Sequence, residues 1–86
     1  MAAVPPSSSL KFAEVQGSGR YVLLDKVVHG GELLELCTSG GWLTGRYECD
    51  AGTNDVPTLF FSVELDGGGV TQLHFPIPEG ALLRRR

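Results

Sequence analysis

The stretch ELLELCTSGGWLTGRYEC, Glu32 to Cys49, decides the fold. In its first half, Glu32 to Cys37, Leu34 and Leu36 fall on one face. In its second half, Trp42 to Cys49, Leu43, Tyr47 and Cys49 fall on one face, with Trp42, Arg46 and Glu48 opposite. That period of two belongs to half-buried strands, because successive side chains of a strand point to opposite sides. Thr38-Ser39-Gly40-Gly41 lies between the halves and has the chemistry of a hairpin turn.

The same grammar extends in both directions. Thr58 to Leu65 has the clearest alternation, with Leu59, Phe61, Val63 and Leu65 against Thr58, Ser62 and Glu64. Phe60 breaks the polar side and reads as the cover of a barrel end or as a contact surface. Asp66-Gly67-Gly68-Gly69 then turns into Val70 to Phe75. Upstream, Leu10 to Val15 and Arg20 to Leu24 are further strands. Of the 12 glycines, 11 lie between Gly17 and Gly69, clustered at the turns these strands need. Clear of Gly and Pro, no long stretch repeats apolar residues at i, i+3, i+4 and i+7, so a long helix is not expected. Pro76-Ile77-Pro78-Glu79-Gly80 ends the sheet, and Ala81 to Leu83 adds a short closing strand or a 3₁₀ turn.

Consecutive twisted hairpins curl, and closure removes exposed edges. The expected architecture is all-β, a small SH3-like barrel of five to six antiparallel strands. It occupies residues 10–86 as one domain. Residues 1–9, MAAVPPSSS, read as a disordered leader, since two prolines and three serines offer no core. With 86 residues the chain has no room for two lobes around a cleft, and its core can stabilise it only modestly.

Charge narrows the functions. The balance is 7 basic to 10 acidic residues, a net charge of −3. Three of the seven basic residues are Arg84, Arg85 and Arg86. The remainder of the chain is therefore strongly acidic, which opposes duplex binding, because that needs a basic face to displace counterions. The arginine run reads as a solvated, frayed end. Residues 1–10 have neither a basic n-region nor an apolar run, and no segment is apolar enough for a spanning helix. A cytoplasmic setting is expected, with no membrane partner.

The chemistry-bearing residues are few. Cys37, Cys49, His29 and His74 form no C-x-x-C or H-x-x-x-H pair, so no metal site is expected. Hairpin register separates Cys37 from Cys49, which argues against a disulfide. Cys49 has no basic cluster or helix start nearby to activate its thiol. Gly67-Gly68-Gly69 has no following Lys-Ser/Thr and is a turn, not a phosphate cradle. No cofactor is called for and no catalytic residue is assigned. The candidate site is a partner surface at Trp42, Arg46 and Phe60, since Trp and Arg dominate interface hot spots. The competing account has Trp42 capping the barrel and Arg46 paired with Glu35 or Glu48. Stacking of bases on Trp42, Tyr47 and Phe60, helped by Lys11, Arg20 and Lys26, is a second reading.

Two resemblances bear on this. Gly19-Arg20-Tyr21-Val22-Leu23, Gly31-Glu32-Leu33-Leu34-Glu35-Leu36, Trp42-Leu43-Thr44-Gly45-Arg46-Tyr47-Glu48 and Gly80-Ala81-Leu82-Leu83-Arg84 run in order along the chain. Together they resemble a family of very small, uncharacterised bacterial and mobile-element domains, a likeness that implies a setting but no activity. Separately, Thr71-Gln72-Leu73-His74, Pro76 and Ala81-Leu82-Leu83-Arg84 are similar to the pore strand and close of plasmid-borne type II dihydrofolate reductases. That likeness implies an oligomeric pore enzyme. However, His74 stands where tyrosine is expected, and the pore lysine has no counterpart in Glu35-Leu36-Cys37-Thr38. The expectation is thus a small non-enzymatic accessory protein that binds an unknown protein partner or itself. A single-stranded nucleic-acid-binding barrel and, more distantly, an oligomeric reductase are the alternatives.

Overall fold

A computed structural model describes residues 5–50 and 54–86. The fold is all-β. The strands are β1 (Ser7–Ser8), β2 (Lys11–Val15), β3 (Ser18–Leu23), β4 (Lys26–Val27), β5 (Leu33–Thr38), β6 (Gly41–Glu48), β7 (Thr58–Glu64), β8 (Val70–Pro76) and β9 (Leu83–Arg85). They form two antiparallel sheets. One has the order β1-β9-β5-β6-β7-β8, the other β2-β3-β4. Of the glycines clustered between Gly17 and Gly69, Gly52 lies outside the described residues, as do the first four residues of the leader.

Local chemistry places the turns. Ser39-Gly40 joins β5 to β6, with Thr38 opposite Gly41. The Thr38 hydroxyl donates to the Gly41 carbonyl at 2.7 Å and accepts from the Gly40 N–H at 3.2 Å. Gly67, Gly68 and Gly69 all have φ near +90° (88°, 99° and 94°), a region closed to most side chains, so glycine there is a backbone requirement. The β3–β4 turn is less comfortable. Leu24 and Asp25 both adopt positive φ, 53° and 66°, where glycine or asparagine is the usual occupant.

The core lies between the sheets. Leu34 and Leu36 of β5, Tyr47 of β6, Leu59 and Phe61 of β7 and Leu83 of β9 meet Leu23 of β3 and Val28, the residue after β4. Strand alternation in the Glu32–Cys49 stretch thus does what its pattern predicts, burying one side of each strand. Gly45 lies within this face. A Cβ there would sit 2.7 Å from the Phe61 ring. That ring stacks on Phe75, with centroids 5.3 Å apart, and is itself buried. A missing side chain on β6 is therefore what lets Phe61 lie flat against the sheet.

Three expectations are corrected. First, the large sheet is open rather than closed. β1 and β8 form its two edges and do not pair with each other. The reason lies in strand choice: β9 takes the place beside β5, β1 adds outside it, and the β7–β8 hairpin runs on past the core. The radius of gyration is accordingly 14.0 Å, against about 12 Å for a compact domain of this length.

Second, order begins ahead of Leu10, because Ser7 and Ser8 pair with Arg84 and Leu83. Third, Arg84 and Arg85 are not a frayed end. They belong to β9, opposite Glu35 and Leu34. The closing strand runs from Leu83 to Arg85 rather than over 81–83.

Arg85 also ties the two sheets together. Its guanidinium donates to the carbonyls of Leu23 (2.8 Å), Lys26 (3.2 Å) and Val27 (3.3 Å), and to the Glu32 carboxylate. The fork of donors on arginine matches this array, while a lysine ammonium has too few and no plane. Burial pushes the Glu32 carboxyl up. Its hydrogen bond with Arg85, the His29 N–H and the nearby positive charge outweigh that and hold it below its ordinary value of 4.5. A depressed carboxyl stabilises the fold at pH above 4.5, and that contribution fades as acid protonates the folded form.

Two outcomes follow from this packing. Gly45→Ala should lower stability by about 1–3 kcal/mol, as overpacking against a buried ring does, read from urea midpoints. Arg85→Leu should cost about 2–3 kcal/mol, the scale of lost charged hydrogen bonds. It should also flatten the loss of stability between pH 5 and pH 3, while Arg85→Lys recovers only part; melts across pH measure both.

Candidate functional site

The outer side of the large sheet, opposite the core, carries the candidate residues. Alternation alone puts Trp42, Arg46 and Glu48 there from β6, because Leu43, Gly45 and Tyr47 take the inner side. Leu33, Glu35 and Cys37 join from β5 by pairing with Arg46, Thr44 and Trp42. Phe60 joins from β7 opposite Arg46, and His74 from β8 opposite Phe60. Leu33, Arg46, Phe60 and His74 therefore make one row across four strands. Trp42 lies on the same side as Arg46, about 13 Å along the strand by strand rise.

The row is stacked. The Arg46 guanidinium carbon lies 5.2 Å from the Phe60 ring centre, and the Phe60 and His74 rings stack at 5.0 Å with 25° between their planes. Arg46 also pairs with Glu48 at 3.4 Å. At the other end of the face Arg84 lies over Trp42, 3.9 Å from the ring centre, and is held there by Glu35 at 3.0 Å. Both arginines are thus pinned between a carboxylate and an aromatic ring. Such cation–π pairs order a surface, since each ring limits the rotamers of its guanidinium. Trp42 and Phe60 are half-buried, Leu33 is exposed, and the face has no second layer among the described residues.

Trp42, Arg46 and Phe60 therefore share one face: strand parity aligns the first two, and the β6–β7 pairing adds Phe60. Tyr47 does not. Offered as an exposed stacking residue, it is buried in the core, and burial, together with neighbouring Cys49, raises its phenol. The base-stacking set must lose it. Lys11, Arg20 and Lys26 belong to the other sheet and add nothing to this face. Arg46 pairs with Glu48 rather than Glu35, which Arg84 occupies. Sequence reasoning missed Arg84 and His74. Arg84 was hidden in a run of arginines with no pattern of its own. His74 was legible, as its hairpin register with Phe60 follows from the Asp66–Gly69 turn.

Other chemistry is sparse. Cys37 and Cys49 are free thiols. Among the described residues no three His, Cys, Asp or Glu side chains come together as a metal set, and no helix is long and apolar enough to cross a membrane. A cleft of about 340 Å³ opens between the sheets beside Tyr21, His29, Tyr47 and Cys49. No match is found among protein-family models, curated proteins or solved structures.

Because Trp42 lies outside the core, its removal should cost little. Trp42→Ala should lower stability by about 1 kcal/mol, the worth of a partly exposed cation–π contact and its area, leaving a cooperative melt. Unfolding of this variant at room temperature would place Trp42 among the packing residues instead.

Proposed function

We propose that the chain is a small non-enzymatic interaction module that binds a protein partner through the outer face built by Trp42, Arg46 and Phe60. The observation that carries this reading is the shared face itself: an indole, a phenyl ring and two ring-stacked arginines, with no second layer over them among the described residues. Rigid aromatic and guanidinium groups suit recognition, because they lose little conformational entropy on binding and offer both area and polar handles. An SH3-like scaffold belongs to this reading, supported by the β5–β6–β7–β8 meander and the small sheet laid over its core. So does a role as a cytoplasmic accessory protein of a bacterium or its mobile DNA, supported by the resemblance of the Gly19–Leu23 and Trp42–Glu48 runs.

A second reading is single-stranded nucleic-acid binding, favoured by the alternation of rings and cations from Trp42 and Arg84 to Arg46, Phe60 and His74. Glu35 and Glu48 neutralise those cations, which weighs toward a protein partner.

Immobilised wild-type protein challenged with the proteins of its host should retain a defined partner. Trp42→Ala and Arg46→Glu should each reduce that capture at least tenfold with the fold intact by circular dichroism. A substitution on the inner side of β8, Thr71→Ser, should not. Equal capture by all four proteins would dismiss this face. Salt-sensitive retention of a labelled oligonucleotide, lost in the same two variants, would instead select the nucleic-acid reading.

A further inference from the structure

The β7–β8 hairpin carries a second surface, the backbone edge of β8, which borders the outer face at His74. Its outer strand, β8, is an edge of the large sheet. Edge strands invite pairing unless they are short or interrupted by charge, proline or a bulge. The other edges have such protection. β1 and β4 are two residues long, and β2 carries Lys11 and Glu14. β8, VTQLHFP, is seven residues long and carries no carboxylate, ammonium or guanidinium group, and its one proline is its last residue.

The ladder fixes what this edge offers. Leu65 donates to Gly69 at one end of the hairpin and Ile77 to Pro57 at the other. Bonded pairs recur every second residue of an antiparallel ladder. Thr71, Leu73 and Phe75 therefore bond to β7, and Val70, Gln72 and His74 direct their N–H and C=O groups at the open edge. Side chains follow the same parity. Leu73 lies opposite buried Phe61 on the core-facing side, yet is 55% exposed, since the core ends beneath it. Val70 is 67% exposed on the other side.

We propose that β8 pairs antiparallel with β8 of a second copy of this chain, about a twofold axis at Leu73. This surface does not depend on the partner-binding face. In that register Gln72 of one copy exchanges hydrogen bonds with His74 of the other, and Val70 donates to the Pro76 carbonyl. Proline then forfeits only the bond its missing N–H would have made. The two Leu73 residues form a non-bonded pair, the arrangement in which opposing side chains come closest. The apolar stripe Phe61–Leu73 thereby continues into its symmetry mate. Neutrality selects the occupant. A charged peptide finds no counter-charge on β8, whereas a second β8 brings none to oppose, even though each copy carries −3 overall. The two small cores would join through one continuous sheet.

Sedimentation equilibrium of the full chain should give a mass that rises with concentration from 9.2 kDa toward twice that value. Leu73→Lys sets two ammonium groups against each other at the axis and should hold the protein at the monomer mass with its circular dichroism unchanged. Mixing Leu73→Lys with Leu73→Glu should restore the dimer. Gln72→Pro removes an outward N–H that β7 does not use and should weaken association by at least tenfold, which settles the matter should Leu73→Lys fail to fold. A wild-type chain that stays monomeric at millimolar concentration, or a dimer undiminished by these variants, would overturn the pairing.

Discussion

A single guanidinium holds the two sheets in register. Arg85 sits on a strand of the large sheet and reaches the carbonyls around the β3–β4 turn of the small one, with Glu32 as its counter-ion. The turn it grips contains Leu24 and Asp25 at positive φ, a conformation each would leave if free. Capping the nearby carbonyls fixes the small sheet at the distance that lets Leu23 and Val28 enter the core. Without that tie the eight buried apolar residues would be shared between two layers joined by little else than side-chain contact. In a chain of this length, such a contact set is thin against the entropy of ordering it.

Everything else in the core follows from alternation against this tie. The inner sides of β5, β6, β7 and β9 supply leucines and rings, and the empty position at Gly45 accommodates Phe61. The outer sides are free of packing duty. Trp42, Arg46 and Phe60 gather there because their strands are neighbours and their registers align, not because the core requires them. Glu35 and Glu48 keep the face nearly neutral, which holds both arginines in place.

Much of the fold was legible in the residues. Period-two runs gave the strands from Leu33 to Pro76 to within a residue or so, and the Ser39-Gly40 and Asp66–Gly69 turns gave their hairpins. Parity along one strand put Trp42 and Arg46 on a common side, whereas the pairing of β6 with β7 that sets Phe60 opposite Arg46 is not written in any hairpin turn. What was not legible depended on distant pairing. Whether Arg84 and Arg85 fray or pair is decided by Glu35, Glu32 and the carbonyls of another sheet, none of them near in sequence. Ser7 and Ser8 look like leader until Leu83 and Arg84 are beside them. Closure depends on which strand lies beside β5, and no local pattern encodes that choice. Tyr47 was misjudged in one respect only: its parity put it inward, and treating it as a stacking residue ignored that parity.

The division of each strand into a packed side and an unpacked side has a consequence for substitution. Changes at Trp42, Arg46, Phe60 or His74 alter the chemistry of the outer face while leaving the hydrophobic interior untouched. Changes at Leu34, Gly45 or Leu59 meet the opposite fate. Constraints on the outer face and constraints of packing therefore fall on interleaved but separate sets of positions. The surface chemistry of this scaffold can therefore be rewritten position by position without repacking its interior.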